Sequence, residues 1–250
     1  MRLSQRCKLL LPTALAAALL SGCPSPPRAP PAPASSAAGT PAPVPLHLGT
    51  PYEVLPQASL LTILVYRAGP LASAGHNHVI ASHDMSGTFY VVPGILQSSF
   101  ELHVPAATLT VDEAGLRAQQ PAADFPADVS AGAKEGTRHN MLGAALLDAE
   151  HYPEITLRSL QLEPAGDATP ATVRARVESS VRGQLRTFTL PVHYALSGNG
   201  MLEATGAIEL RQTELGLTPF SAMLGALQVQ DEMHISFHIL AQSADLGRAP

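Results

Sequence analysis

Two cysteines and ten histidines are the side chains of this 250-residue chain best suited to chemistry. Cys23 follows Leu20-Ser21-Gly22, and an apolar run from Leu9 to Leu20 lies behind a positively charged N-terminal segment. This order is typical of a bacterial lipoprotein signal peptide, whose final cysteine is acylated on its thiol. The run is also shorter than the roughly 18 apolar residues that a membrane-spanning helix needs. The sequence therefore predicts that residues 1–22 are cleaved and that Cys23 becomes a lipid-anchored N-terminus.

The predicted anchor would place the mature chain in the bacterial cell envelope, facing the periplasm. Pro24, rather than an aspartate, follows the cysteine, which favours the outer membrane. The full chain has a net charge of -5, and loss of residues 1–22 leaves 12 Lys and Arg against 20 Asp and Glu, a net charge of -8. Such a balance disfavours nucleic acid as a partner. Cys7 leaves with the signal, so no disulfide is expected, and the sequence makes no prediction of oligomeric state.

His76 and His78 form the histidine pair whose spacing best suits a shared ion. Two residues on an extended chain lie roughly 6 to 7 Å apart, so a curved loop could bring both imidazoles to one zinc or copper ion. Three further residues could supply a third ligand: His83, Asp84 and His139. His234 and His238 lie on a predicted strand, where four residues span roughly 13 Å, and cannot share an ion. The simpler interpretation of His76 and His78 is hydrogen bonding within a loop, so metal binding is kept as an alternative hypothesis.

Short motifs of catalysis and of nucleotide binding are absent from the sequence. It contains no Gly-x-Ser-x-Gly nucleophile elbow, no Gly-x-Gly-x-x-Gly, no phosphate-binding loop and no His-Glu-x-x-His. We therefore expect neither enzyme activity nor a cofactor. Three classes of function remain: a ligand-binding protein, a histidine-based metal-binding protein, and an envelope scaffold module that binds no ligand.

The composition divides the chain into a linker and one folded domain. Residues 23–46 are rich in Pro, Ala and Ser, which is typical of an extended linker that buries nothing. Residues 50–241 carry the alternating apolar pattern described below, and their length suits a single core without disulfides. Residues 242–250 form a short C-terminal tail.

Alternation of apolar and polar residues recurs along residues 50–241 and predicts about eight β-strands. A helical spacing of apolar residues, with Pro153 beyond its end, predicts one helix from about Ala133 to Ala149. Many antiparallel strands with one apolar face must stack as two sheets or close on themselves, and closure removes exposed edges. We therefore predict an all-β fold, a closed antiparallel barrel. The predicted strands centre on Leu61–Val65, Gly87–Val91, Phe100–Val104, Ile155–Leu157, Val173–Val177, Leu190–Leu196, Ile208–Leu210 and Met233–Ile239.

Several ordered segments resemble the YceI-like family. The strongest is the run from Leu146 to Ser159, with its leucine-aspartate, tyrosine-proline, isoleucine and serine pattern. The other matching segments are Ser86-Gly87-Thr88-Phe89, Gly183-Gln184-Leu185, Leu190-Pro191-Val192, Glu214-Leu215-Gly216-Leu217 and Asp231-Glu232-Met233-His234-Ile235. They follow the family's order from about Tyr52 to Ala241, so the resemblance covers the whole predicted domain.

The resemblance implies an extended lipocalin-like barrel that takes an isoprenoid or another long-chain lipid into an apolar pore. It supplies no catalytic residues. Its implied ligand contacts are the inward positions of the strands: Leu61, Ile63, Val65, Phe89, Val91, Phe100, Leu102, Val104, Ile155, Leu157, Ile235 and Phe237. The histidine-rich loop at His76 and His78 departs from the family pattern, and we expect it at the pore mouth, where it would meet a polar headgroup.

Overall fold

The computed structural model describes residues 47–166 and 171–244 of the chain. The predicted signal peptide, Cys23 and the linker lie outside the described residues, as does the tail from residue 245 onward. No helix within the described ranges is long and apolar enough to cross a membrane.

Strands dominate the described chain, which also has two α-helices and several single 3₁₀ turns. The helices are α1 (Ala114–Arg117) and α2 (Ala131–Leu142). The strands are β1 (Thr50–Val54), β2 (Leu60–Ala68), β3 (His78–Ser82), β4 (Ser86–Val91), β5 (Ser99–Pro105), β6 (Thr110–Val111), β7 (Glu154–Pro164), β8 (Thr172–Val181), β9 (Gln184–Leu196), β10 (Met201–Arg211), β11 (Ser221–Ala222) and β12 (Leu227–Ser243).

Eight of these strands close into an antiparallel barrel in the order β1-β4-β5-β7-β8-β9-β10-β12. The ring closes where the last residues of β12 pair with β1, with Ser243 opposite Tyr52. The earlier part of the same strand pairs instead with β2, with Ile235 opposite Ile63. From there β2, β3 and β6 continue as a branch of the sheet. The predicted all-β barrel of about eight strands is confirmed.

Alternation along the strands decides which side chains enter the barrel. In β8, Val173, Ala175 and Val177 are buried, whereas Arg174 is exposed on the other face. Outward side chains pair across strands, as where Arg158 Nε donates to Glu178 Oε1 at 2.6 Å. Because side chains of a strand alternate between its two faces, one apolar set can fill the interior and one polar set can face water.

Seven of the eight predicted strands belong to the barrel ring, and the eighth, β2, belongs to the branch. The sequence pattern missed four strands for physical reasons. β3 is buried at every residue and shows no alternation, while β6 and β11 have only two residues each. β1 contains Pro51, a residue that usually argues against a strand. It escapes that objection because β12 pairs with β1 only from Tyr52 onward, so no ladder hydrogen bond requires an N–H at Pro51.

The predicted helix from Ala133 to Ala149 is wrong in its second half. α2 begins after Ser130, whose Oγ accepts from the Ala133 N–H at 3.2 Å, and it ends at Leu142. Gly143 is extended, and the chain then turns back, with the Asp148 N–H donating to the Gly143 carbonyl at 2.9 Å. The apolar spacing beyond the helix reflects a turn that packs on the core, not further helical turns.

Candidate ligand-binding cavity

The barrel encloses a cavity of about 220 Å³. Thirty-one residues line it; 29 are apolar, and none carries a charge. The two polar ones are Ser179 and Gln212. Gln212 Nε2 donates to the Gln230 carbonyl at 2.7 Å, and Ser179 Oγ lies 3.4 Å from the Arg186 carbonyl. Both side chains are thus directed at backbone groups, so the cavity presents almost only apolar surface.

Gly206 leaves room for the ring of Phe237 inside the barrel. It faces Phe237 across the β10–β12 pair. A Cβ atom at Gly206 would lie 2.5 Å from the Phe237 ring and 2.6 Å from the Pro191 carbonyl oxygen. The missing side chain therefore provides the space that the ring of Phe237 occupies in the cavity wall.

A second apolar cavity of about 50 Å³ lies beside the first. Phe89, Phe100, Val192 and Ala204 line both cavities. Phe89 and Phe100 are register partners on β4 and β5, with ring centroids 5.5 Å apart and a tilt of 46°. These two rings therefore stand between the cavities and separate them.

The structure brings the sequence-predicted contact residues together in the barrel. Val91 lines the smaller cavity, and the other eleven line the larger one: Leu61, Ile63, Val65, Phe89, Phe100, Leu102, Val104, Ile155, Leu157, Ile235 and Phe237. Their contact with a ligand stays a prediction. Lining residues on β8 to β10, such as Val177 and Ile208, had the alternation signal but were not singled out. Met141, Leu146 and Leu217 lie outside the barrel strands and offered no period-two signal.

A sequence model of the YceI-like domain matches residues 52–241, well over half of the chain. The chain belongs to the YceI-like family. Its fold is similar to that of Burkholderia cenocepacia BcnA, with a TM-score of 0.55 and 19% identity, covering 76% of this chain and 99% of that one.

A second similar fold is that of a polyisoprenoid binding domain from Saccharophagus degradans implicated in plant cell wall breakdown. Its TM-score is 0.50 with 11% identity, covering 79% of this chain and 99% of that one. At such identities both comparisons show a shared fold. No protein with a curated description matches the chain significantly.

Neither His76 nor His78 lines a cavity of the YceI-like barrel. His78 is 8% exposed, and both ring nitrogens have partners. Nδ1 lies 2.7 Å from Asp112 Oδ2, and Nε2 lies 3.1 Å from Thr137 Oγ1. Since an ionised carboxylate only accepts, Nδ1–H donates to Asp112, and Nε2 is hydrogen-bonded to the Thr137 hydroxyl. The side chain of His78 thus belongs to a buried polar network, and contact of His76 and His78 with a ligand headgroup at the pore mouth stays a prediction.

The same bonds bear on the metal alternative, since they engage both ring nitrogens of His78. The rings of His76 and His78 have centroids 6.1 Å apart, and among the described residues this pair does not converge with a third histidine or carboxylate, so metal binding here stays a hypothesis. His83, one suggested third ligand, pairs with Glu113 at 3.1 Å. A different grouping, Glu209, Glu232 and His234, converges on the outer surface, where exposed acidic groups are common without an ion.

Asp112 is the centre of the buried network. It is 1% exposed, and its Oδ1 accepts from the Val79 N–H at 2.9 Å and from Arg117 Nη1 at 2.7 Å. Burial alone would raise the pKa of this carboxyl, but the bonds from His78 and Val79 and the charge of Arg117 outweigh it and lower the pKa. Asp112 is therefore ionised in the folded protein at neutral pH.

The network holds α2 against the barrel. Lys134 Nζ donates to the Asp112 carbonyl at 2.7 Å, and Thr137 Oγ1 is hydrogen-bonded to His78 Nε2 at 3.1 Å. Met141, which lines the cavity, follows Thr137 by four residues and so lies on the same helix face. The polar contacts at one end of this face thus fix the position of an apolar side chain in the cavity wall.

We predict that Asp112→Asn destabilises the fold at pH 7 by about 3 to 5 kcal/mol, because it leaves the buried Arg117 guanidinium without its counter-charge. The lowered pKa means that the carboxylate stabilises the fold above the unfolded-state value near 3.9 and loses this effect as the pH falls. Urea unfolding at several pH values should show that the difference in unfolding free energy between parent and variant becomes smaller below about pH 4.

His76→Ala is the matched control for this measurement, since His76 lies next to the network without bonding to Asp112. It should change the unfolding free energy by less than about 0.5 kcal/mol at either pH. An Asp112→Asn variant as stable as the parent at pH 7, or equally destabilised at pH 7 and pH 3, would contradict the assigned role of the carboxylate.

Proposed function

We propose that this protein binds a polyisoprenoid or another long-chain lipid inside its barrel. The observation that carries this proposal is the cavity lining of 29 apolar residues without a charged side chain. Such a site cannot hold a sugar, nucleotide or ion, because polar groups lose their bonds to water there and gain none in return. A hydrocarbon chain has no polar groups, so it loses no hydrogen bonds to water when it enters the cavity.

The size of the cavity favours an apolar occupant. A dry apolar cavity of roughly 150 Å³ already binds benzene, and this cavity measures about 220 Å³. Each methylene group that moves from water into it would contribute about 0.8 kcal/mol. A chain of several methylene groups would therefore bind with a useful affinity by burial alone.

Two features suit a long ligand. The smaller cavity continues the apolar space beyond Phe89 and Phe100, so rotation of these rings would join the two. Met85, Met141 and Met233 lie in the wall of the larger cavity, and methionine side chains repack readily around irregular shapes. The barrel could thus lengthen its pore without changing its strand pairing.

The fold comparison supports the same class of ligand. The Saccharophagus degradans domain, whose fold this chain shares, is described as polyisoprenoid binding. Hydrophobic burial is not directional, so the lining accepts a polyprenyl chain and a saturated acyl chain on similar terms.

We further propose that the protein acts as a binder rather than an enzyme, and that acylated Cys23 anchors it in the cell envelope, at the outer membrane. The lipoprotein signal of residues 1–23 supports the location. Acyl chains are needed for a stable anchor because the mature chain is acidic and has no polybasic segment to attract an anionic membrane.

We predict that Ala204→Leu weakens the binding of farnesol and of hexadecanol about tenfold. Ala204 is 3% exposed and lines both cavities. A leucine there would displace about two carbon groups of ligand, worth about 1.6 kcal/mol. Titration calorimetry on delipidated protein measures the change, and thermal unfolding verifies that the variant is folded.

The control for this variant is Ala207→Leu, three residues along the same strand. Ala207 is exposed and lies outside both cavities. It should bind both alcohols like the parent. Equal affinities for the two variants, or no saturable binding by the parent, would show that the barrel cavity is not the ligand site.

For the anchor, we predict that Cys23→Ala abolishes incorporation of an alkyne-tagged palmitate in cells, because Cys23 carries the only thiol retained after cleavage. Cys7→Ala, which alters the thiol lost with the signal, should label like the parent. Mass spectrometry of the N-terminal peptide should find diacylated Cys23. Label retained in Cys23→Ala would refute the anchor without affecting the cavity proposal.

A further inference from the structure

Met223 and Leu224 are large apolar side chains displayed to solvent. They are 68% and 108% exposed and lie on the turn between β11 and β12. Met223, Leu224 and Gly225 have φ values of 51°, 57° and 87°, three left-handed residues in succession. This conformation is costly for residues other than glycine. The turn therefore uses a strained backbone to present two hydrophobic side chains outward.

A second loop is joined to this turn. Leu71 is 41% exposed, and its N–H donates to the Ala226 carbonyl at 2.8 Å. A Cβ atom at Gly69 would lie 2.6 Å from the same carbonyl oxygen, so the two loops are in close contact. We call residues 69–75 and 220–227 the apolar tip.

The two segments of the apolar tip contain no charged residue, although the chain as a whole is acidic. No Asp, Glu, Lys or Arg occurs in residues 68–83 or in residues 215–230, whereas the chain has 35 such residues. A protein with a net charge of -5 is repelled by an anionic surface. The apolar tip contributes no negative charge, and the Arg67 guanidinium at its border, which donates to the Gly75 carbonyl at 2.8 Å, is positive, so this end meets the least repulsion.

The uncharged segment also reaches the candidate ligand site. Leu215 and Leu217 lie in the cavity wall, and Leu224 stands at the exposed turn seven residues after Leu217. One stretch of chain thus connects the cavity to the apolar tip.

We propose that the apolar tip inserts into the headgroup region of a phospholipid bilayer. A convex, uncharged turn suits a bilayer, which needs no matching hydrogen bonds, and exposed apolar side chains of this kind mark membrane or interaction sites. The purpose of the contact rests on the proposed function, since a lipid ligand has to pass between the bilayer and the barrel.

The predicted anchor is compatible with this contact. The apolar tip lies at the start of β12, whereas the N-terminal strand pairs with its last residues. The 17 residues of β12 span roughly 56 Å. The chain from Cys23 to His47 can reach at most about 80 Å, so an anchor at Cys23 would allow the apolar tip to touch the same membrane.

The absence of tryptophan from the chain allows a direct test. Leu224→Trp in the full chain places a single tryptophan at the apolar tip, and its emission can be excited apart from that of the five tyrosines. On addition of phosphatidylcholine vesicles, its emission should shift to shorter wavelength, and vesicles with brominated acyl chains should quench most of it. Leu196→Trp is the matched control, because Leu196 is 47% exposed and lies at the other end of β12, beside the turn that bonds Ser243.

An unquenched Leu224→Trp would overturn the proposal, and so would equal quenching of the two tryptophans, which would report a general closeness to the vesicle. Met223→Asp added to the Leu224→Trp chain should abolish the quenching if insertion causes it; unchanged quenching would also overturn the proposal. No ligand is present in this experiment, so its failure would not contradict the cavity proposal. Likewise, a parent protein that binds no farnesol would not contradict the membrane contact.

Discussion

Strand β12 ties the sheet together, because it pairs with β10, β2, β1 and the two-residue strand β11. β10 accompanies it from Arg211 to Met201, while β2 takes its first part and β1 its last residues. Because the contact of Val54 with Ala241 closes the ring, the apolar faces of all ring strands point into one enclosed space. Without it, the ring would have two open edges and its apolar faces would lie open to water.

Closure also explains how the polar residues are distributed. A barrel interior without water cannot tolerate an unpaired charge, and the cavity contains none. The buried charges of Asp112 and Arg117 lie off the cavity, in a network that satisfies the carboxylate with three donors. The network joins α1 and α2 to the branch of the sheet formed by β3 and β6. The cavity therefore excludes charged side chains, whereas the network pairs its buried carboxylate with hydrogen-bond donors.

The sequence was informative wherever structure follows from local pattern. Alternation located seven ring strands and the inward faces of Leu102 and Ile155, and an ordered set of short motifs indicated the family. Sequence pattern failed where the position of a residue depends on contacts with residues far away in the chain. His78 resembled a loop histidine because its partner Asp112 lies 34 residues away in the sequence. The end of α2 was misplaced because residues of the following turn pack against the core at a spacing that imitates a helix.

Native mass spectrometry of the full chain, purified from cells without denaturation, can decide whether the barrel holds a lipid. We expect one apolar long-chain molecule per chain, seen as a mass excess that organic solvent removes and that lipid analysis identifies as isoprenoid or acyl. A chain that carries no such molecule, and that after exposure to isoprenoid and acyl probes still takes up none, would contradict the assignment of the barrel as a lipid-binding site.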